Sequence, residues 1–495
     1  MPITRRKAAA TFAAAAATSS SCAWMRPKRA HKNILFIMSD DHSAAYLGCY
    51  GNNIVKTPNL DRLSLEGTRF NQAFCTNSLC APGRASILTG TYSHVNGIRG
   101  NSEAKDSLEY MKAGIQTFPQ LLQGAGYHTG IVGKWHLTDP PKGFDYSCVL
   151  PGQGVYMNPI FHENGEAKRL AGHVTDITTD LALGFLNAAP AEKPWCLLYH
   201  HKAPHRPFLP PKALADRYEN IDLPQPTTFN DNYATRKVAR EALDMRLEES
   251  LGPDYPDMPA KLSTQERKKW LFQRFARGYC AGIEAIDSNL GRVLAYLDKN
   301  NLTDSTLIVY TSDNGFFVGD HGWYDKRFMY EPSLRIPLIV RWPAAPKARL
   351  SEHLVANIDI APTIMDYAGV TTPEEVQGKS LRGIIHGGQQ TMWRKSVYYS
   401  YYENSWALRG KGTAAMADPS FQFFTPHRIG PHRGIRTETH KLIHYYSEGD
   451  YYELFDLRKD PDELDNLYGR REESSLAADL RFALQQVREQ YGDTA

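Results

Sequence analysis

Apolar runs that each stop at a polar or ionisable residue punctuate the chain. Residues 33–39 (NILFIMS) are apolar on both alternating faces and stop at Asp40-Asp41. Such a run, with no polar face, predicts a strand buried on both sides, as in a parallel sheet. Residues 129–136 (TGIVGKWH), 195–201 (WCLLYHH) and 306–312 (TLIVYTS) repeat the form, the last stopping at Asp313-Asn314. Residues 335–341 (RIPLIVR) add another apolar run. Between the runs the period changes. Ile283, Ile286, Leu290, Val293, Leu294 and Leu297 recur every three or four positions, which predicts a helix ahead of the 306–312 strand. Further helices are expected over 116–124 and 358–369. Alternation of strand and helix predicts an α/β fold: a large mixed, mainly parallel sheet flanked by helices.

Two stretches break this texture. Residues 210–270 are charged and Pro-rich and read as a long excursion from the sheet. From about 395, Tyr-rich runs (SVYYSYY, KLIHYY, YYELFDL) between turn signals predict a small antiparallel sheet, with a terminal helix over 474–491. The expected division is a leader over 1–30, a main domain over 31–385 and a C-terminal α+β subdomain over 386–495.

A length of 495 residues exceeds one ordinary core and accommodates this division. With 42% hydrophobic and 22% charged residues the chain is neither disordered throughout nor fibrous. Lys+Arg 57 against Asp+Glu 54 leaves a net charge of +3, no global field for gripping nucleic acid or membrane. An anionic substrate would need a local pocket. Seven scattered cysteines without a C-x-x-C pair give neither a disulfide framework nor a zinc site. Arg5-Arg6-Lys7 followed by an Ala-rich stretch has the layout of an export signal, with a twin-arginine flavour, so a periplasmic or secreted protein is expected. Cys22 is a candidate lipoprotein acceptor, although Ser19-Ser20-Ser21 makes a poor lipobox. No other segment approaches the roughly 20 apolar residues of a membrane span.

The polar ends of the runs carry the chemistry. Asp40-Asp41, Lys134 with His136, His200-His201 leading to His205, and Asp313-Asn314 all follow strands, and open α/β sheets bind ligands beyond the carboxyl ends of their strands. Each acidic pair alone is a common turn. Together Asp40, Asp41, Asp313 and Asn314 offer three carboxylates and an amide oxygen, a hard-oxygen set for calcium or magnesium. Cys80-Ala81-Pro82-Gly83-Arg84 leads into a short helix stopping at Gly90, which puts Cys80 at a helix start that favours anions. A thiol nucleophile is conceivable there. The thiol phosphatase loop, however, has five residues between Cys and Arg, against three here.

The whole set resembles the type I sulfatase family, of the alkaline-phosphatase-like superfamily. The resemblance rests on Asp40-Asp41, Thr57-Pro58-Asn59-Leu60-Asp61-Arg62-Leu63, Cys80-Ala81-Pro82-Gly83-Arg84, Gly133-Lys134-Trp135-His136, Ala203-Pro204-His205-Arg206-Pro207, Asp313-Asn314-Gly315 and Lys326. It extends to Glu453-Leu454-Phe455-Asp456-Leu457. Gly83 departs from the pattern, where serine is usual.

The resemblance implies that Cys80 is oxidised to formylglycine by a separate formylglycine-generating or anaerobic maturation enzyme. One oxygen of the hydrated aldehyde would attack sulfur as the ester alcohol leaves, and loss of a proton from the other would re-form the aldehyde and expel sulfate. It implies a calcium site from Asp40, Asp41, Asp313, Asn314 and residue 80. Arg84 would steady the hydrate, Lys134 and Lys326 would clamp sulfate, His136 would be the base and His205 the acid. His201 and Gln153 are further substrate-contact candidates, with the alternative that one of His200 and His201 faces the core. The implied substrate is a sulfated saccharide, similar to those of bacterial N-acetylglucosamine-6-sulfatases and mucin-desulfating sulfatases. The stretch His427, Arg428, His432, Arg433 and Arg436 reads equally as a glycan contact or a solvated loop. Two alternatives stay open: a phosphatase or phosphodiesterase of the same superfamily, and a non-catalytic glycan-binding protein if Cys80 stays unconverted.

Overall fold

The computed structural model describes residues 32–101, 108–388, 392–403 and 429–494. The leader with Cys22, and His427 with Arg428, lie outside the described residues. The main sheet is built from β1 (Asn33–Asp40), β2 (Thr68–Phe70), β3 (His128–Lys134), β4 (Tyr146–Leu150), β5 (Ile160–Glu163), β6 (Glu166–Arg169), β7 (Trp195–Pro204), β8 (Thr306–Ser312), β9 (Leu338–Arg341) and β10 (Arg349–Ser351). Their order is β10-β2-β9-β8-β1-β7-β3-β4-β5-β6. The five central strands β8, β1, β7, β3 and β4 are parallel. β9 and β5 join this block antiparallel on either side.

All eight residues of β1 are buried, as a strand without a polar face requires. Ile34, Phe36 and Met38 enter one apolar core, and Leu35 and Ile37 enter the other. Helix α1 (Pro58–Glu66) precedes β2. Helix α2 (Cys80–Thr89) is buried on every side, so it sits inside the protein rather than on it, and it ends at Gly90 with φ 70. Helix α3 (Phe118–Gly124) leads into β3, and α4 (Val174–Ala188) precedes β7. Helix α5 runs from Thr264 to Lys299, well upstream of the apolar recurrence that predicted it. Ser263 and Glu266 cap its start reciprocally, a signal inside the stretch read as an excursion. The remainder of that stretch is ordered, with Tyr218, Phe229, Leu247 and Leu251 packed into the second core. Helix α6 spans Ile360–Ala368.

The C-terminal sheet, β11 (Ser396–Tyr401), β12 (His432–Thr437), β13 (His440–Tyr445) and β14 (Tyr451–Asp456), is antiparallel throughout. Helix α7 (Ser474–Tyr491) buries Ala477, Leu480 and Leu484. Tyr398, Ile435, Leu442 and Phe455 of this sheet belong to the same core as Ile34, Phe36 and Met38 of β1. Of the basic stretch, His432, Arg433 and Arg436 lie on β12 and are buried rather than in a solvated loop. His432 is stacked 5.1 Å from the Tyr401 ring, Arg433 covers Tyr446 at 4.4 Å, and Arg436 pairs with Glu331 at 3.3 Å. Among the described residues no helix is long and apolar enough to cross a membrane.

Candidate active site

β1, β3, β7 and β8 end on one edge of the sheet, and the N-terminus of α2 meets them there. Consecutive strand residues point to opposite faces, so Asp40 and Asp41 can share a site only if the backbone breaks between them. Asp41 supplies the break with φ 63. Its N–H donates to Asp313 Oδ1 at 3.1 Å, and its carbonyl accepts from the Tyr279 hydroxyl at 2.8 Å.

Cys80 is the first residue of α2. Its thiol donates to Asp40 Oδ1 at 3.3 Å, and the Lys326 ammonium lies 3.4 Å from Sγ. Burial, with the negative charge of Asp40, pushes the thiol well above its usual range. A thiol so raised is a poor nucleophile. Arg84, one turn along α2, binds Asp313 through Nε at 3.0 Å and donates to the Lys134 carbonyl at 2.7 Å. Gly83 lies against β8's end: a Cβ there would stand 2.4 Å from the Asp313 carbonyl oxygen.

Two ammonium groups flank the acidic pair. Lys134 Nζ pairs with Asp40 and donates to Gln153 Oε1 at 2.6 Å. Lys326 Nζ donates to both oxygens of Asp41, at 2.6 and 2.7 Å. Burial opposes the charge on Lys326, but Asp41 outweighs it and holds the group protonated. A third lysine escaped the sequence reading. Lys202 Nζ donates to the Gln153 carbonyl at 2.9 Å and faces the Tyr156 ring at 5.0 Å. Burial and the charge of Lys134 pull it down to about 7. The Tyr156 hydroxyl in turn donates to the His205 carbonyl at 2.5 Å, so the loop carrying Gln153 and Tyr156 ties Lys134, Lys202 and His205 together.

His205 Nδ1 lies 2.6 Å from the Arg206 carbonyl, so Nδ1 carries the proton, and Nε2 faces Asp41 Oδ2 at 3.6 Å. Burial, then the charge of Lys134, holds both His205 and His136 well below the usual imidazole range. His136 has φ 57 and a buried Nδ1 without a hydrogen-bond partner. His200 Nδ1 lies 3.1 Å from the Lys134 carbonyl, beside the Arg84 donor. His201 does not belong to the site. It projects from the other face of β7, 4.3 Å from the Tyr199 ring, and burial alone pulls it to about 3.

The residues fit a hard divalent cation. Atoms of Asp40, Asp41, Cys80 and His205 lie within 4.8 Å of one another, a group that includes His205 and leaves out Asp313. Asn314 Oδ1 is buried with no hydrogen-bond partner, while its Nδ2 donates to Asp41 at 2.8 Å. Burial opposes ionisation of Asp40, yet Lys134 and its cationic neighbours hold it well below the usual range. Burial and neighbouring carboxylates push Asp41 up, and Asp313 to about 7. Three carboxylates face three cationic side chains, Arg84, Lys134 and Lys326. A divalent ion among them would keep every carboxylate ionised and leave a positive site for an anion.

Comparison with known proteins agrees with this geometry. The family model described as Sulfatase matches residues 32–370, and that described as N-sulphoglucosamine sulphohydrolase, C-terminal, matches residues 409–490. The chain is 38% identical to an N-acetylglucosamine-6-O-sulfatase of Bacteroides thetaiotaomicron, over 96% of this chain and 89% of the relative. An arylsulfatase of Clostridium perfringens is 26% identical over 89% of this chain and 91% of its own. A solved structure of a protein in complex with its substrate D-glucosamine-2-N,6-O-disulfate superposes with a TM-score of 0.83 at 38% identity, covering 94% of this chain and 99% of that one.

Proposed function

Because the chain belongs to the sulfatase family, with its sulfuric ester hydrolase activity and alkaline-phosphatase-like fold, we propose that it removes 6-O-sulfate from N-acetylglucosamine or a related glucosamine of a sulfated glycan. It does so as an exported enzyme that holds calcium and carries formylglycine at position 80. One relative at 38% identity is named for N-acetylglucosamine-6-O-sulfate, and the other was solved with a 6-O-sulfated glucosamine. The observation that carries the reading is the position of Cys80 Sγ, 3.3 Å from Asp40 and 3.4 Å from Lys326 at the start of a buried helix.

Asp40, Asp41, Asp313 and Asn314 would hold the cation. Calcium supplies Lewis-acid polarisation of the sulfate, and formylglycine supplies a hydrated aldehyde in place of the raised thiol. Lys134 and Lys326 present fixed ammonium groups to the sulfate oxygens, where negative charge shifts during transfer. Arg84 holds Asp313 and the Lys134 carbonyl, and so keeps the clamp in register with α2. His136, kept neutral by burial, accepts a proton. His205 commits Nδ1–H to the Arg206 carbonyl, so Nε2 is the atom that protonates the departing sugar oxygen. An anion in the site adds the negative charge that favours its imidazolium form.

Intact-mass analysis of the residue-80 peptide, with sulfate release from defined sugars, tests the reading. The expected outcome is an aldehyde mass and fastest release from N-acetylglucosamine-6-sulfate or glucosamine-2-N,6-O-disulfate. Faster release from galactose-6-sulfate overturns the sugar assignment. Full activity with an intact thiol overturns the nucleophile.

A further inference from the structure

Tyr399 lies on β11, at the edge of the C-terminal sheet, with its ring fully buried. Its hydroxyl joins two segments that are distant in the chain. It donates to the Arg327 carbonyl at 2.5 Å and accepts from the Ser78 N–H at 3.3 Å. Ser78 stands two residues before Cys80, and Arg327 directly follows Lys326. β11 touches the same turn again where the Ser400 N–H donates to the Thr76 carbonyl at 3.0 Å.

The loop around Lys326 needs such a hold. Asp325 and Arg327 have φ 79 and φ 100, a region that residues with a Cβ rarely occupy. Such conformations persist where the surroundings over-determine them. The Arg327 N–H donates to Ser333 Oγ at 3.1 Å, and its guanidinium meets Asp325 at 2.8 Å. Tyr399 takes the carbonyl. Across the sheet, Tyr399 pairs with Gly434, where a Cβ would stand 2.5 Å from Met329 Sδ. That bare position lets the loop after Lys326 press onto the sheet.

We propose that Tyr399 is a positioning residue of the hydrolytic site, whose hydroxyl sets the spacing between residue 80 and Lys326. It anchors the turn before one and the carbonyl after the other. The proposal rests on the sulfatase reading above. It makes the C-terminal sheet a working part of the site although Tyr399 touches no substrate. Phenylalanine would fill the same space and make neither bond.

The test is Tyr399→Phe in mature protein, with the aldehyde content of residue 80 matched to wild type by intact mass. Displacing a reacting group by about 1 Å costs up to about a hundredfold, so kcat should fall about tenfold or more while KM moves less than about threefold. Amide exchange should quicken at 76–80 and 324–328. Tyr398→Phe, which removes the hydroxyl bonded to Asp493 on the opposite face of β11, should keep wild-type rates. A Tyr399→Phe kcat within about threefold of wild type overturns the proposal. So do equal losses in both variants, which would mark a general weakening of the sheet. In the wild-type protein itself, rapid exchange of the Ser78 amide overturns it without any variant. Absence of turnover in aldehyde-bearing wild type overturns the sulfatase reading, and this claim with it.

Discussion

Replacing Lys202 with methionine separates two consequences of burying an ammonium beside Lys134, the proposed sulfate clamp. Lys202 is 2% exposed, donates to the Gln153 carbonyl at 2.9 Å, and is pulled from 10.5 to about 7 by burial and by Lys134. Methionine keeps the volume and removes the nitrogen. The Gln153 carbonyl then loses its donor, at a cost of about 1 kcal/mol or more. The loop relaxes, and Gln153 Oε1 holds Lys134 Nζ less firmly. Misplacing that ammonium should lower kcat/KM by about ten- to a hundredfold. The second consequence concerns pH. Between about 7 and 10.5 the native protein has released a proton that the unfolded chain still binds. Wild-type stability therefore rises with pH across that window, by up to about 1.4 kcal/mol per pH unit. Below about pH 7 both states hold the proton, and the full penalty of charging a buried lysine remains. The variant carries no such penalty. Its stability relative to wild type should be greatest at and below pH 7 and should shrink by about 3 kcal/mol by pH 9. Paired thermal melts at pH 6, 7, 8 and 9 read the gap. Parallel curves refute the depressed ionisation, and an unchanged kcat/KM refutes the anchoring role.

A strong chelator should lower both Tm and turnover, calcium should restore both, and Asp313→Asn should blunt the calcium response of Tm; melts indifferent to chelator and calcium would remove the metal. His205→Ala should slow sugar sulfates by about a hundredfold or more, yet 4-nitrophenyl sulfate by less than about tenfold, because an activated phenolate departs without a proton. Equal losses on the two would take away the acid role. His201→Phe should leave rates unchanged and Tm equal or higher, since both ring nitrogens are buried without partners; a large loss of activity would return His201 to the site.

The strand tips were legible because a buried parallel strand leaves a continuous apolar run that stops where solvent or ligand begins. The exchange of His201 for Lys202 shows the cost of reading composition without parity. Along β7, Leu197, Tyr199 and Ala203 pack into one core and Cys196 and Leu198 into the other. His201 shares the parity of Tyr199, so period two already assigns Lys202 to the opposite face. The reading of Asp40 and Asp41 as joint ligands ran against the same alternation. The left-handed backbone at Asp41, which no local residue pattern announces, brings the two carboxylates to one place all the same. The start of α5 was written in Ser263 and Glu266, a cap outweighed by the charge around it. Tyr399 had no local signal, because its two partners lie in segments remote along the chain.

The hydrocarbon shared by β1 and the tyrosine-rich tail strands has a practical corollary for protein engineering. The second core lies wholly within the main sheet and its helices, but the tail strands have only the shared one, so a nick near residue 395 strips the tail of its cover and bares one face of the main sheet rather than yielding a trimmed catalyst. A gene fusion that exchanges the tail also replaces the backing of the turn before residue 80. Heat should therefore silence turnover and melt the tail in one step.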